Sequence, residues 1–280
     1  MNANVIIVGG GPAGIITALT AKSVYPEISV CLIKDIGDGV IPCAIPYMMH
    51  TLSDPNQNAM GNMPLEKAGI DIIVGKVVTF DPKAHTATLE SGQVLSYERL
   101  VLATGTETVI PPIPGIEKKG VFTISKSMSA MTALREKVHR AESVAIIGGG
   151  FIGAEFADEL SLGSKADVHL IEIMPRLLVT AFDDEFCDKA ATVLGSKGIH
   201  IHCGNRVVSI DGHRRVQSVT LDNGAKIPAD LVLVSTGAKP ANILAQMGGL
   251  RLAENGSIWV DEYMRTDAED VFAVGDCAVK

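Results

Sequence analysis

The sequence predicts an α/β fold in which one unit, a parallel sheet flanked by helices, is built twice. Three observations carry this. Short β-branched runs alternate with alanine-rich helical stretches, the order that makes parallel sheets covered by helices. The opening of the chain returns later: VIIVGGGPAG at 5–14 reappears as VAIIGGGFIG at 144–153. The segments that follow each opening also match in order. SVCLIKD (29–35) corresponds to DVHLIEI (167–173), and GIDIIVGKVV (69–78) to GIHIHCGNRVV (198–208). Each copy closes on a hydrophobic strand ending in Thr-Gly, RLVLATG at 99–105 and DLVLVSTG at 230–237.

Each opening is a strand, a glycine turn and a helix, the fingerprint of a Rossmann-like dinucleotide-binding domain. Gly9 and Gly148 allow the tight turn out of the first strand. Gly11 and Gly150 let the backbone approach a pyrophosphate, and Gly14 and Gly153 let the helix pack on the sheet. Pro12, Ala13, Phe151 and Ile152 fill the first turn of the helix, whose N–H groups and dipole face the phosphates. Two such fingerprints imply two nucleotide ligands. In the second copy Glu172 ends the next strand, 24 residues after Gly148. A carboxylate there accepts from a ribose 2′-hydroxyl and repels a 2′-phosphate, so NADH is favoured over NADPH. Arg176 lies close by in sequence. In the first copy the strand ends in Lys34-Asp35, and Asp35 is the expected carboxylate.

Composition narrows the rest. The chain has 280 residues, 47% of them apolar, enough for about two domains with large cores. A net charge of −8 without a basic run argues against nucleic acid and anionic membranes as partners. The first apolar run is too short to span a bilayer and lacks the form of a signal peptide. Five scattered cysteines without a CxxC form neither a disulfide framework nor a zinc ribbon, so a reducing cytoplasm is the expected compartment.

One cysteine stands apart. Residues 39–49 read GVIPCAIPYMM, with Cys43 between Pro42 and Pro46. Prolines fix their own φ and restrict their neighbours. The residues after Cys43 are expected to open a helix with Pro46 in its first turn. Cys43 would then sit at a helix N-terminus, where the dipole favours thiolate. A thiolate attacks a disulfide, persulfide or peroxide. The competing reading is a buried small hydrophobe beside a turn. Cys31, Cys187, Cys203 and Cys277 read as structural. HIHC at 200–203 resembles a metal cluster, but its histidines and cysteine point to opposite faces of a strand, so no metal site is expected.

These residues resemble the pyridine nucleotide–disulfide oxidoreductases, over the whole chain. The resemblance rests on VIIVGGGPAG, on ATG at 103–105, on VAIIGGGFIGAEFA and on TDAEDVFAVGDCA at 266–278. It implies FAD in the first unit and an inserted NAD(P)H unit. Residues 1–112 would begin the FAD domain, 113–240 form the NAD(P)H domain, and 241–280 return to the first. VIPPIPGI (109–116) would be a stiff crossing between them. Asp276, after Gly275, would accept from an FAD ribitol hydroxyl, and the Val77 backbone would meet the adenine. Ala103, Thr104 and Gly105, and Gly237 in the second unit, would flank the nucleotides. Phe151 would lie over the flavin ring and move aside for nicotinamide, with Glu155 orienting it.

CAIPY looks most like the coenzyme A disulfide reductase and NADH oxidase branch. The implied activity is FAD-dependent reduction of a disulfide, persulfide or coenzyme A disulfide through Cys43. Alternatives are an NADH oxidase or peroxidase using a cysteine sulfenic acid, and a non-catalytic redox sensor. The helix after Gly14 departs from the coenzyme A pattern, since Lys22 is its basic residue. The family continues past Gly-Asp into a dimerisation domain, so a homodimer is implied for a longer protein, and this chain reads as truncated before it.

Overall fold

The structure is a computed structural model and describes residues 2–280. By internal contacts it divides into two units. One comprises Met1–Ile41, Met60–Glu107 and Ala238–Lys280; the other comprises Pro42–Ala59 and Thr108–Gly237.

The first unit opens with β1 (Asn2–Val8), α1 (Pro12–Val24) and β2 (Val30–Lys34). It continues through α2 (Met63–Lys67), β3 (Asp71–Val74), β4 (Val77–Asp81), β5 (Thr86–Leu89) and β6 (Val94–Leu102). The sheet runs β3-β2-β1-β6, all parallel, and β4–β5 extends it as an antiparallel hairpin on β6. β2 is buried at every position, as a central parallel strand is when both faces are covered.

The second unit contains β7 (Val121–Thr123), α3 (Met128–Val138), β8 (Ser143–Ile147), α4 (Phe151–Gly163) and β9 (Asp167–Glu172). After α5 (Asp184–Ser196) come β10 (His200–Cys203), β11 (Val207–Asp211), β12 (Ser218–Leu221), β13 (Lys226–Pro228) and β14 (Leu231–Val234). Its parallel sheet runs β10-β9-β8-β14-β7, and β11–β13 form a separate antiparallel sheet. The chain then returns to the first unit, where β15 (Val271–Ala273) adds to β6 in parallel.

The two parallel sheets therefore share one strand order. β3-β2-β1-β6-β15 answers to β10-β9-β8-β14-β7, with the fifth strand entering from opposite ends of the sequence. The shared register is the structural form of the sequence repeat. Val8 pairs with Ile33 and Ile147 with Ile171, and in each copy the first turn glycine donates to that partner's carbonyl at 2.8 Å.

The segment expected to open a helix after Cys43 does not. Pro42–Ala44 and Pro46–Met49 are successive 3₁₀ turns, each begun by a proline. Such short turns have no sizeable dipole, so Cys43 does not sit at a helix N-terminus that would favour its thiolate. This segment also packs within the second unit, away from its place in a simple 1–112 division. Its anchors are clear. Ile45, Met48 and Met49 are buried, and Thr51 donates from both N and Oγ1 to the buried Glu159 carboxylate at 2.8 and 2.7 Å. Arg135 Nη1 donates to Leu52 O at 2.8 Å.

Candidate functional site

In the first unit the glycines at 9–14 form a cradle. Gly9 has φ +124°, and a Cβ there would lie 2.0 Å from Ala103 O. A Cβ on Gly14 would lie 1.9 Å from Gly9 O, so only glycine lets α1 seat on the turn. Gly11 has nothing within 4 Å of a Cβ position, which leaves its face open. Gly11 is also the N-cap of α1 and no side chain caps that helix. An uncapped helix start with open backbone above it suits a pyrophosphate. Gly275, at φ +77°, stands against Ala13, which brings the exposed Asp276 to the same helix start. Thr104 Oγ1 donates to Ala241 O at 2.7 Å, which holds the Ala103–Gly105 turn in place. Val77 is buried at the start of β4.

The expected ribose carboxylate is displaced. By register, the residue matching Glu172 is Lys34: a Cβ on Gly10 would meet the Lys34 side chain, as one on Gly149 would meet Glu172. Lys34 is buried, which holds its ammonium below the usual lysine range. It donates to Gly37 O at 3.1 Å and Asn62 Oδ1 at 2.8 Å. Asp35 is exposed one residue beyond the strand.

The second unit repeats the cradle and adds a cavity of about 830 Å³. Gly148 has φ +110° and abuts Ser235 O, while a Cβ on Gly153 would lie 1.8 Å from Gly148 O. Gly150 is open and caps α4, again without a side-chain cap. The cavity wall includes Gly148, Gly150, Phe151, Ile152, Glu172 and Gly237. Here Glu172 lines the cavity beside the glycine turn. Its carboxylate accepts from Gly149 N at 2.5 Å and Met174 N at 2.8 Å, which fixes it beside the turn. Arg176 is held away from a free role by Asp184 and Asp188 at 3.2 and 2.8 Å. Pro111–Pro114, expected as a bare crossing, also line this cavity.

A second cavity of about 430 Å³ lies between α4 and α5, and Tyr47, Phe151, Glu155 and Phe186 line it. Burial, then the charge of Glu159, raises the Glu155 carboxyl above its ordinary range. Phe151 borders both cavities.

Cys43 is exposed on its 3₁₀ turn, which disposes of the buried-hydrophobe reading. The buried thiols behave otherwise. Burial first, then Asp71, pushes Cys31 up to about 11, and Cys277 donates to Val274 O at 3.3 Å. The histidines of HIHC meet a third that single-strand reasoning missed. His169, on the neighbouring strand β9, stacks on His200 and lies 3.2 Å (Nδ1 to Nε2) from His202. Burial is the main cause that lowers His169 to about 4. Glu159 was also missed; its only sequence signal is an acid three residues after Phe156 on a buried helical face.

Comparison with known proteins agrees with this fold. The family model described as pyridine nucleotide-disulphide oxidoreductase matches residues 3–280. An NAD(P)H coenzyme A polysulfide/persulfide reductase of Pyrococcus horikoshii is 36% identical, over 99% of this chain and 63% of its own. The chain thus spans less than two thirds of that relative's length. An NAD-dependent persulfide reductase from A. fulgidus superposes with a TM-score of 0.92 at 31% identity, covering 99% of this chain and 53% of that one. A water-forming NADH oxidase from Lactobacillus brevis, bound to NADH, gives 0.88 at 29% identity, covering 99% and 62%. With its two matching nucleotide cradles, the chain belongs to the pyridine nucleotide-disulphide oxidoreductase family.

Proposed function

We propose that the chain is the nucleotide-binding part of an NADH-dependent flavoprotein that reduces a small disulfide or persulfide at Cys43. The observation that carries this is the pairing of two glycine cradles with one exposed thiol on a fixed segment. FAD fits the first cradle: an open Gly11, an uncapped α1 and the Gly275-Asp276 turn meet at one helix start. A pyridine nucleotide fits the second, where the cavity, α4 and Glu172 receive pyrophosphate and ribose. When bound, the nicotinamide supplies a hydride and the flavin passes its two electrons on to sulfur. Cys43, as thiolate, attacks the R-bearing sulfur of R–S–S–R′ and breaks its S–S bond. A Cys43–S–S–R bond forms and R′S⁻ leaves and takes a proton; two electrons and a proton delivered to the new bond would then release RSH and restore the thiolate.

Lys22, the basic residue of α1, donates to Pro26 O and Ile28 O at 2.7 and 2.8 Å. The substrate class is a polysulfide, a persulfide or a small disulfide, coenzyme A disulfide included. The longer protein as a homodimer and a reducing cytoplasm belong to the same proposal.

The test is product stoichiometry. With FAD, NADH and a polysulfide under anaerobic conditions, the reading requires one sulfide or thiol pair per NADH. Oxygen-dependent NADH consumption that yields water or peroxide without thiol would favour the oxidase reading, which the Lactobacillus brevis neighbour represents.

Cofactor choice is a separate prediction. Glu172→Ala removes the fixed carboxylate and should weaken NADH about ten- to hundredfold, the worth of a charged hydrogen bond. NADPH should lose less, because its 2′-phosphate no longer faces a like charge. Equal losses for both nucleotides, measured by titration, would remove Glu172 from the ribose site.

A further inference from the structure

Three phenylalanines of the second unit form a surface cluster to which the proposed chemistry assigns no full role. Phe151, Phe182 and Phe186 are 53%, 37% and 48% exposed, yet their rings touch. Phe151 meets Phe182 edge-on at 5.6 Å, and Phe182 stacks on Phe186 at 4.1 Å. Two of the three have firmly placed backbones. The link from β9 to α5 is tied to the glycine turn, since Leu178 N donates to Gly149 O at 3.0 Å and Phe182 N to Leu178 O at 3.2 Å. Phe186 N donates to the Asp183 carboxylate that caps α5, at 3.0 Å.

Phe151 is the first residue of α4, directly after the open Gly150, and it borders both cavities. A dinucleotide with its adenosine ribose at Glu172 and its pyrophosphate over the start of α4 must run its other half past this first side chain. The ring therefore has to be kept out of that path. The edge contact with Phe182 draws it toward α5.

We propose that Phe182, backed by Phe186, is a positioning residue that holds the Phe151 ring aside and keeps the cavity ready for the nicotinamide half. This rests on the reading of the second unit as a pyridine-nucleotide site. Holding a site in its bound form raises affinity by removing the cost of arranging it. The contact acts on only one half of the ligand, and this makes it testable.

Calorimetric titration of the full chain with NAD⁺ and with ADP-ribose separates the halves. Phe182→Ala should weaken NAD⁺ about two- to twelvefold, the range of one aromatic pair, and leave ADP-ribose unchanged. Phe182→Leu keeps the apolar bulk without the ring and should behave alike. Phe182→Tyr keeps the ring and should retain the wild-type ratio of the two affinities. An unchanged ratio in the alanine and leucine variants, an equal loss for both ligands, or tighter NAD⁺ binding overturns the proposal. Failure of ADP-ribose to bind the wild-type chain overturns the nucleotide reading instead.

Discussion

Cys43→Ser should abolish NADH-dependent release of thiol or sulfide, while NADH should still reduce an artificial dye. The loss should be on the order of 10³-fold or more, the scale on which deleting a covalent nucleophile acts. Serine offers no thiolate and forms no S–S bond, so neither the attack nor the return of electrons to sulfur has a substitute. Stability should barely change. Cys43 is exposed, and exposed substitutions usually stay within about 0.5 kcal/mol. The dye reaction is the internal control, because it needs both nucleotide sites and no sulfur. A variant that keeps full disulfide reduction would show that another group carries the electrons. Cys277→Ser is the companion measurement. That thiol is buried and bonded to carbonyls, so its loss should leave thiol release at the wild-type level per folded molecule.

The nucleotide frame of the protein was legible because glycine has few reasons to recur at fixed spacing. Gly9, Gly14, Gly148 and Gly153 each have backbone where a Cβ would stand, while Gly11 and Gly150 have open space there. Residues whose role depends on a neighbouring strand were less legible. Lys34 occupies the place of Glu172 because Val8 pairs with Ile33, and that register is invisible in a strand that ends in Lys-Asp. His169 joins His200 and His202 across β9 and β10, which no pattern within one strand could show. The turns around Cys43 illustrate a third limit. Pro42 and Pro46, four positions apart, each start a 3₁₀ turn where a helix was equally open to them. The choice was made by Met48 and Met49, which are buried, and by the Thr51–Glu159 bonds. Glu159 lies 108 residues from Thr51, so local propensity carries no trace of it.

The glycines also supply the second large effect, because the structure separates those that pack against backbone from those with open space above them. In Gly153→Ala the new Cβ would stand 1.8 Å from Gly148 O and 2.9 Å from Ser235 Oγ. Backbone cannot give way by that much, so α4 must shift, at a cost of about 3 kcal/mol. That predicts a melting temperature lower by about 6–12 °C and loss of NAD⁺ binding of about a hundredfold. Gly14→Ala makes the same demand in the first unit, with Gly9 O at 1.9 Å, and should cost FAD instead. Gly150→Ala is the contrasting case. Its φ of −73° suits alanine, and nothing lies within 4 Å of the added carbon. The fold should therefore melt normally. If a pyrophosphate lies over this turn, that methyl group occupies its place and NAD⁺ binding falls while stability holds. The pair of measurements, melting temperature and affinity, thus separates a packing glycine from a ligand glycine in one unit. Gly150→Ala binding NAD⁺ as well as wild type would mean that phosphate does not approach α4 there, and the placement of the nucleotide would have to be abandoned.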